Sequence, residues 1–402
     1  MEMFAKAFTQ QEPISEEAIA RAVEVMRSGR LHRYNTVDGE PSETALLEKE
    51  FAAYLGVKYS LACASGGYAL HIALRAAGVR NGDAVLCNAF TLSPVPGAIN
   101  NAGGEPVLVG TNSDFKIDIV DLREKAVTSG ARVLLLSHMR GHIADMDAVI
   151  EICDEFDIVL IEDCAHTLGA RWKGRPSGSF GQIACFSTQS YKHLNSGEGG
   201  FLTTSDPDII ASAVLYSGSY MLYEKHPDMP AKEVFSERRL ETPNYSGRMD
   251  NLRAAILRVQ LRSLDENCRR WNELYAVIEQ GLRSLAGISL PVRPAYEEFV
   301  GSSVQFSLPG WRPQKISSFI AECSTRGVDI KWFGDNVPRG YTSRFESWHY
   351  LSDQGDLGQT STILDGLCDL RIPLTFDRKD CQQIVAVITE ALRCTEAAHP
   401  CL

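Results

Sequence analysis

The stretch Cys185–Gly200, CFSTQSYKHLNSGEGG, sets one lysine, Lys192, between a short apolar run and a cluster of glycines. What such a lysine is for depends on the neighbours that the rest of the chain gives it. Upstream, short β-branched or aliphatic runs alternate with longer segments of helical spacing. DAVLC (Asp83–Cys87), EPVLVG (Glu105–Gly110), RVLLLS (Arg132–Ser137) and IVLIED (Ile158–Asp163) are nearly continuous apolar strands, as a sheet covered on both faces requires. GYALHIALRAAG (Gly67–Gly78) and MDAVIEICDEF (Met146–Phe156) repeat apolar residues every three or four positions, which predicts crossover helices on a mostly parallel sheet. After about Gln260 the texture changes. LRSLDENCRRWNELYAVIEQGLRSL (Leu261–Leu285) predicts one long charged helix, and DCQQIVAVITEALRC (Asp380–Cys394) predicts a last one. The expectation is an α/β fold with a large domain over residues 1–260 and a smaller α+β domain over 261–402, the first dozen residues packing on the smaller one.

Composition narrows the function. A chain of 402 residues with 44% hydrophobic content can bury a large core. A formal net charge of -11 argues against nucleic acid or anionic lipid as a partner, since both recruit clustered Lys and Arg. No apolar run approaches the ~20 residues that span a bilayer, and MEMFAKAFTQQEP lacks the layout of a signal peptide, so a cytoplasmic location is expected. The 11 cysteines are scattered, with no CxxC pair, and read as reduced, mostly buried thiols without a metal.

In an open α/β sheet, ligands collect at the carboxyl ends of strands. Asp163 closes IVLIED beside Glu162; it can face a pocket that holds a positive partner, or cap the next helix. CASGGY (Cys63–Tyr68) precedes a strong helix pattern. Its Gly66 and Gly67 either let backbone N–H groups approach a phosphate, where the helix adds roughly half a positive charge, or form an ordinary turn. Ser187, five residues before Lys192, offers a hydroxyl to the same phosphate or is a polar loop residue. A lysine able to form an imine, an acidic partner for a pyridinium nitrogen and a phosphate cradle are the requirements of pyridoxal 5′-phosphate (PLP).

With these parts in this order, the chain resembles the DegT/DnrJ/EryC1/StrS family of PLP-dependent aminotransferases. The resemblance runs from LEKEFAAYLGVKYSLACASGGYALHIAL through Ile161–Gly200 and NYSGRMDNLRAAILRVQL to LRIPLTF. Its most specific block is Glu162-Asp163, His166, the turn Gly178-Ser179-Phe180-Gly181, Phe186-Ser187 and then Lys192 before GEGG. It implies the fold type I, aspartate aminotransferase-like architecture and ping-pong transfer of an amino group from L-glutamate to a keto sugar, nucleotide-linked or free. A keto-octulosonic acid or a cyclitol ketone is the alternative acceptor. Residue by residue, the resemblance makes Lys192 the lysine that carries the cofactor and moves the proton, Asp163 the partner of the pyridine nitrogen, and His166 a neighbour of the ring or its 3′-oxygen. Gly66, Gly67 and Ser187 would hold the phosphate. Asn244 would reach it from the neighbouring subunit, with Arg248 nearby, which implies a homodimer with shared active sites.

The chain departs from the family pattern in several places. Ser65-Gly66-Gly67-Tyr68 stands for Ser-Gly-Thr-Ala and loses a threonine hydroxyl. NAFTLSP puts Leu92 where an aromatic usually stacks on the ring, leaving Phe90 or another side chain as the substitute. LSHMRGH introduces Arg140, either a contact for an anionic substrate group or a solvated loop cation. Trp332, Phe333, Trp348 and His349 line the pocket or pack the core. Two rivals remain. Related sugar dehydratases carry a histidine where Lys192 stands, and a non-catalytic homologue with a regulatory role is expected to have lost Lys192, Asp163 and Ser187.

Overall fold

The computed structural model describes residues 3–37, 39–226, 228–236, 238–338, 344–352 and 354–399. The aliphatic runs form strands β1 (Tyr59–Cys63), β2 (Ala84–Asn88), β3 (Glu105–Val109), β4 (Val133–Ser137), β5 (Val159–Asp163), β6 (Ile183–Ser187) and β7 (Gly200–Thr204). They lie in the order β1-β7-β6-β5-β4-β2-β3. From β6 to β3 all neighbours are parallel, and β7 runs against both β6 and β1. This is the mixed, mostly parallel α/β sheet that the apolar runs predict. Along β4 the side chains alternate between two apolar clusters: Leu134 and Leu136 join one face, Val133 and Leu135 the other. Helices cover both faces, so the central strands are apolar on both sides.

Because β4, β5 and β6 are parallel, Ser137, Asp163 and Ser187 end on one edge of the sheet. The chain then turns back from β6 to β7 through a loop that carries Lys192, closed by Thr188 N–H donating to Gly199 O at 2.9 Å and Ser196 N–H to Thr188 O at 2.9 Å. The glycines after the lysine have a steric reason. A Cβ on Gly200 would lie 2.6 Å from both Gly66 N and Phe186 O, so β7 passes between β6 and the start of helix Gly66–Ala76 only without a side chain.

Glu162 fixes the approach to β6. Its carboxylate is fully buried and accepts N–H groups from Gly178 at 3.0 Å, Phe180 at 2.7 Å and Gly181 at 2.7 Å. His138, Glu162 and Cys164 bring their donor atoms within 4.8 Å of one another. The carboxylate is committed to backbone donors, however, and burial pushes the Cys164 thiol up, so the trio anchors a turn.

The C-terminal region holds a second sheet of β8 (Ser303–Ser307), β9 (Lys331–Trp332) and β10 (Leu367–Arg371), with β10 in the middle. The long helix expected over 261–285 is present as Leu264–Arg283, and a turn at Arg262–Ser263 separates it from the preceding helix Asn251–Leu261. Ser263 folds back on Gln260 O through its N–H, and Leu261 and Leu264 both reach the core on either side of the bend. Phe4 and Phe8 pack against Phe376 at 5.2 and 5.1 Å between ring centroids. Ten cysteines are free and nine of them buried, while Cys401 lies outside the described residues. Among the described residues no helix is long and apolar enough to cross a membrane.

Replacing Glu162 with Leu strands one buried and two part-buried N–H groups, each worth up to roughly 1–3 kcal/mol when unsatisfied. The variant should lose about 3 kcal/mol or more of stability, read as a lower urea midpoint. An unchanged midpoint would remove Glu162 from this role.

Candidate active site

A cavity of about 260 Å³ opens at the sheet edge where these strands end, closed on its far side by Ser302, Ser303 and Arg371 of the C-terminal region. Gly66, Gly67, Asp163, His166, Ser187 and Lys192 all line it. Residues far apart in the chain are thus gathered by the parallel strands and the hairpin loop.

Asp163, at the end of β5, is 7% exposed and held by its neighbours. Ser137 Oγ, opposite it on β4, donates to Oδ2 at 2.9 Å, and Ala165 N–H donates to Oδ1 at 3.1 Å. The carboxylate therefore has a fixed direction. Lys192 Nζ lies 2.9 Å from His166 Nε2. Burial, then the positive field of Arg140, brings the amine down from 10.5 to about 7, with Asp163 opposing and Arg371 adding. Burial and the same cations hold His166 well below the ordinary histidine range. A neutral imidazole beside a readily deprotonated amine makes their close approach possible.

The loop carrying Lys192 is clamped on both sides of the lysine. His193 bonds Leu168 O at 2.8 Å and Ser302 Oγ at 3.1 Å. Gln260 accepts Asn195 N–H at 2.8 Å and donates to Asn195 O at 2.6 Å. Neither clamp is visible in the local sequence, because each partner comes from a distant segment.

At the other end of the cavity, helix Gly66–Ala76 presents its first backbone N–H groups beside Ser187. A Cβ on Gly66 would lie 2.8 Å from Ser187 Cβ, so a glycine is required for this approach. Orphan N–H groups, the helix dipole and a hydroxyl together suit a phosphate. Gly67 leaves open space where the threonine is missing. Tyr68 turns away, donating its hydroxyl to Tyr216 O at 2.7 Å and Tyr245 O at 2.9 Å. An amine that gives up its proton readily, a buried fixed carboxylate and an anion cradle in one cavity fit PLP.

Other positions fall differently. Asn244 lies outside this cavity and donates to Thr242 O at 3.2 Å. Arg248 bonds Gly218 O. Phe90 does not face the cavity: it packs 5.0 Å from Phe333 and 6.5 Å from Phe115, and Leu92 lines the wall instead. Phe333 and Trp348 are core residues, Trp332 donates to Asp365 O, and His349 is exposed. Arg140 is 7% exposed and faces the cavity, so it is no solvated loop cation. Arg371 and Tyr191 were not singled out in the sequence; Arg371 ends a strand of the smaller sheet, the same signal that marks Asp163 in the larger one.

A family model described as the DegT/DnrJ/EryC1/StrS aminotransferase family matches residues 12–389. The chain is 34% identical over 350 residues to the dTDP-3-amino-3,4,6-trideoxy-alpha-D-glucose transaminase of Streptomyces venezuelae, covering 84% of this chain and 86% of that one. It is 34% identical over 239 residues to the GDP-perosamine synthase of Caulobacter vibrioides, a match that takes in 59% of this chain and 61% of that protein. In structure it is similar to DesV of S. venezuelae, with a TM-score of 0.78, 27% identity, and coverage of 93% of this chain and 94% of the other. With a family match over residues 12–389 and 34% identity over most of both chains to the Streptomyces venezuelae transaminase, the chain belongs to the DegT/DnrJ/EryC1/StrS aminotransferase family.

Proposed function

We propose that the protein transfers an amino group from L-glutamate to a keto sugar, nucleotide-linked or free, in two half-reactions that use the same cavity in turn. One observation carries this reading: a buried amine, brought to about 7, shares one cavity with a fixed carboxylate and an anion cradle. The amino-sugar enzymes among its relatives support the choice of acceptor.

When bound, PLP supplies an aldehyde that condenses with amines and a protonated ring that accepts the electron pair released at the substrate carbon. The chain's own residues do the rest. Gly66, Gly67 and Ser187 bind the phosphate and fix the position of the ring. Asp163 keeps the proton on the ring nitrogen, and burial strengthens this charge pair. Lys192 would hold the cofactor through its amine, and the same amine would serve as the base that moves the proton at the substrate carbon. Its low proton affinity suits both directions, since a general base works best near ambient pH. His166 orients the amine. Asn244, outside its own chain's cavity, fits a homodimer in which it serves the neighbouring copy's phosphate. The reaction is proposed to run in the cytoplasm.

The PLP-loaded protein should show a visible absorbance band that moves to the near-ultraviolet on adding L-glutamate alone, with release of 2-oxoglutarate. Lys192→Ala, folded by circular dichroism, should lack both the wild-type band and turnover; retained turnover would refute the assignment. Asp163→Asn should cut turnover roughly 100- to 1000-fold, the scale of losing one preorganised charge, and a near-normal rate would assign the ring nitrogen to another group. Only the neutral amine attacks an aldehyde, so PLP attachment to the cofactor-free protein should accelerate as pH rises through about 7. A midpoint near 10 would contradict the lowered proton affinity of Lys192.

A further inference from the structure

The cavity holds more positive charge than the cofactor's phosphate explains. Arg140 follows β4 in a short turn and adopts φ +54°, a conformation uncommon outside glycine, which carries its side chain back into the cavity. Although the side chain is only 6% exposed, its Nε and Nη2 have no hydrogen-bond partner among the described residues. These two atoms form one edge of the guanidinium, the edge that receives both oxygens of a carboxylate. The nearest acid, Asp369, keeps Oδ2 3.4 Å from Nη2. Asp369 is itself held back, since Gln305 Nε2 donates to its Oδ1 at 2.6 Å and Gln305 Oε1 pairs with His142 Nε2 at 2.8 Å.

Arg371 stands two residues beyond Asp369 on the same face of β10, stacks 3.9 Å above the Tyr191 ring and lines the same cavity. Burial and Arg140 lower its proton affinity, so the two guanidiniums feel each other. Lys331 lies opposite Asp369 in the sheet register and also draws on it, with Asp329 near by. Asp369 therefore faces one buried and two half-buried cations, and the unpaired edge of the buried one, Arg140, is costly until another anion arrives. That anion is not the cofactor's phosphate. Ser187 ends β6, whereas Arg140 follows β4, two strand spacings or about 10 Å further across the sheet.

Resting on the aminotransferase reading above, we propose that Arg140 and Arg371 form a carboxylate subsite facing Lys192, with the Asp369–Gln305–His142 chain positioning Arg140. The carboxylate comes either from the amino-acid donor or from a keto sugar that is itself an acid. Calorimetry on the PLP-loaded protein distinguishes the two with unreactive probes: glutarate for the donor, glucuronate for a sugar acid, and glucose as the uncharged control. Wild type should bind at least one of the acids. Arg140→Met and Arg371→Met should each weaken that acid roughly 10- to 100-fold, the scale of a hydrogen bond to a charged group, with no change toward glucose. Arg140→Lys should fall between, because it keeps the charge and loses the fork; it also serves if the methionine variant does not fold.

Loss for glutarate assigns the donor, and loss for glucuronate assigns the acceptor. Undiminished binding of both acids by the variants, or binding of neither by wild type, would overturn the subsite. The wild-type absorbance response to L-glutamate, followed in the same preparation, separates the two failures. A normal response with unaffected acid binding sinks the subsite alone, and no response sinks the aminotransferase reading beneath it.

Discussion

Three backbone segments meet where no side chain fits. The first turn of helix Gly66–Ala76, the end of β6 and the start of β7 approach so closely that a single Cβ at Gly66 or Gly200 would collide with atoms of the others. This contact registers the rest of the site. It sets Ser187 beside the helix start, and it fixes the exit point of the hairpin loop that carries Lys192. The lysine consequently arrives over the strand that ends in Asp163. Glu162 secures the same junction from below by holding the turn that leads into β6.

The cavity's chemistry follows from what burial does to charge. An amine withdrawn from water and placed among guanidiniums gives up its proton easily, and an imidazole in the same surroundings stays neutral. Asp163 keeps a defined direction because Ser137 and the Ala165 N–H occupy one lone pair on each of its oxygens. The division is spatial: Ser187 ends β6, Asp163 ends β5, Arg140 follows β4, and Arg371 faces them from β10 of the smaller sheet. The parallel sheet serves as a ruler along which groups with different tasks are spaced at strand intervals.

Much of this is legible in the sequence because the determining signals are local. Strands buried on both faces must be apolar throughout, so β2 to β5 stand out as unbroken runs; Lys192, Asp163 and the Gly66-Gly67 pair lie beside such runs or at a helix start. What escapes is whatever depends on a partner distant in the chain. Gln260 gives no hint that it grips Asn195, nor does Arg371 that it shares a wall with Arg140. Phe90 shows the converse. It lies in the right stretch to stack on a ring, yet Phe333, supplied by the C-terminal region, draws it into a separate apolar cluster.

The packing of Phe4 and Phe8 on Phe376 bears on how the chain reaches this state during synthesis. Lys6 bonds the carbonyl of Thr375, 369 residues further on, and Asp380 beside it. This segment cannot find its seat until the chain has been made through Asp380. The central strands β2 to β5, joined by short crossovers, can close in order as they emerge. An aromatic pair must meanwhile wait uncovered, so protection from aggregation is needed at Phe4 and Phe8 until Phe376 has emerged.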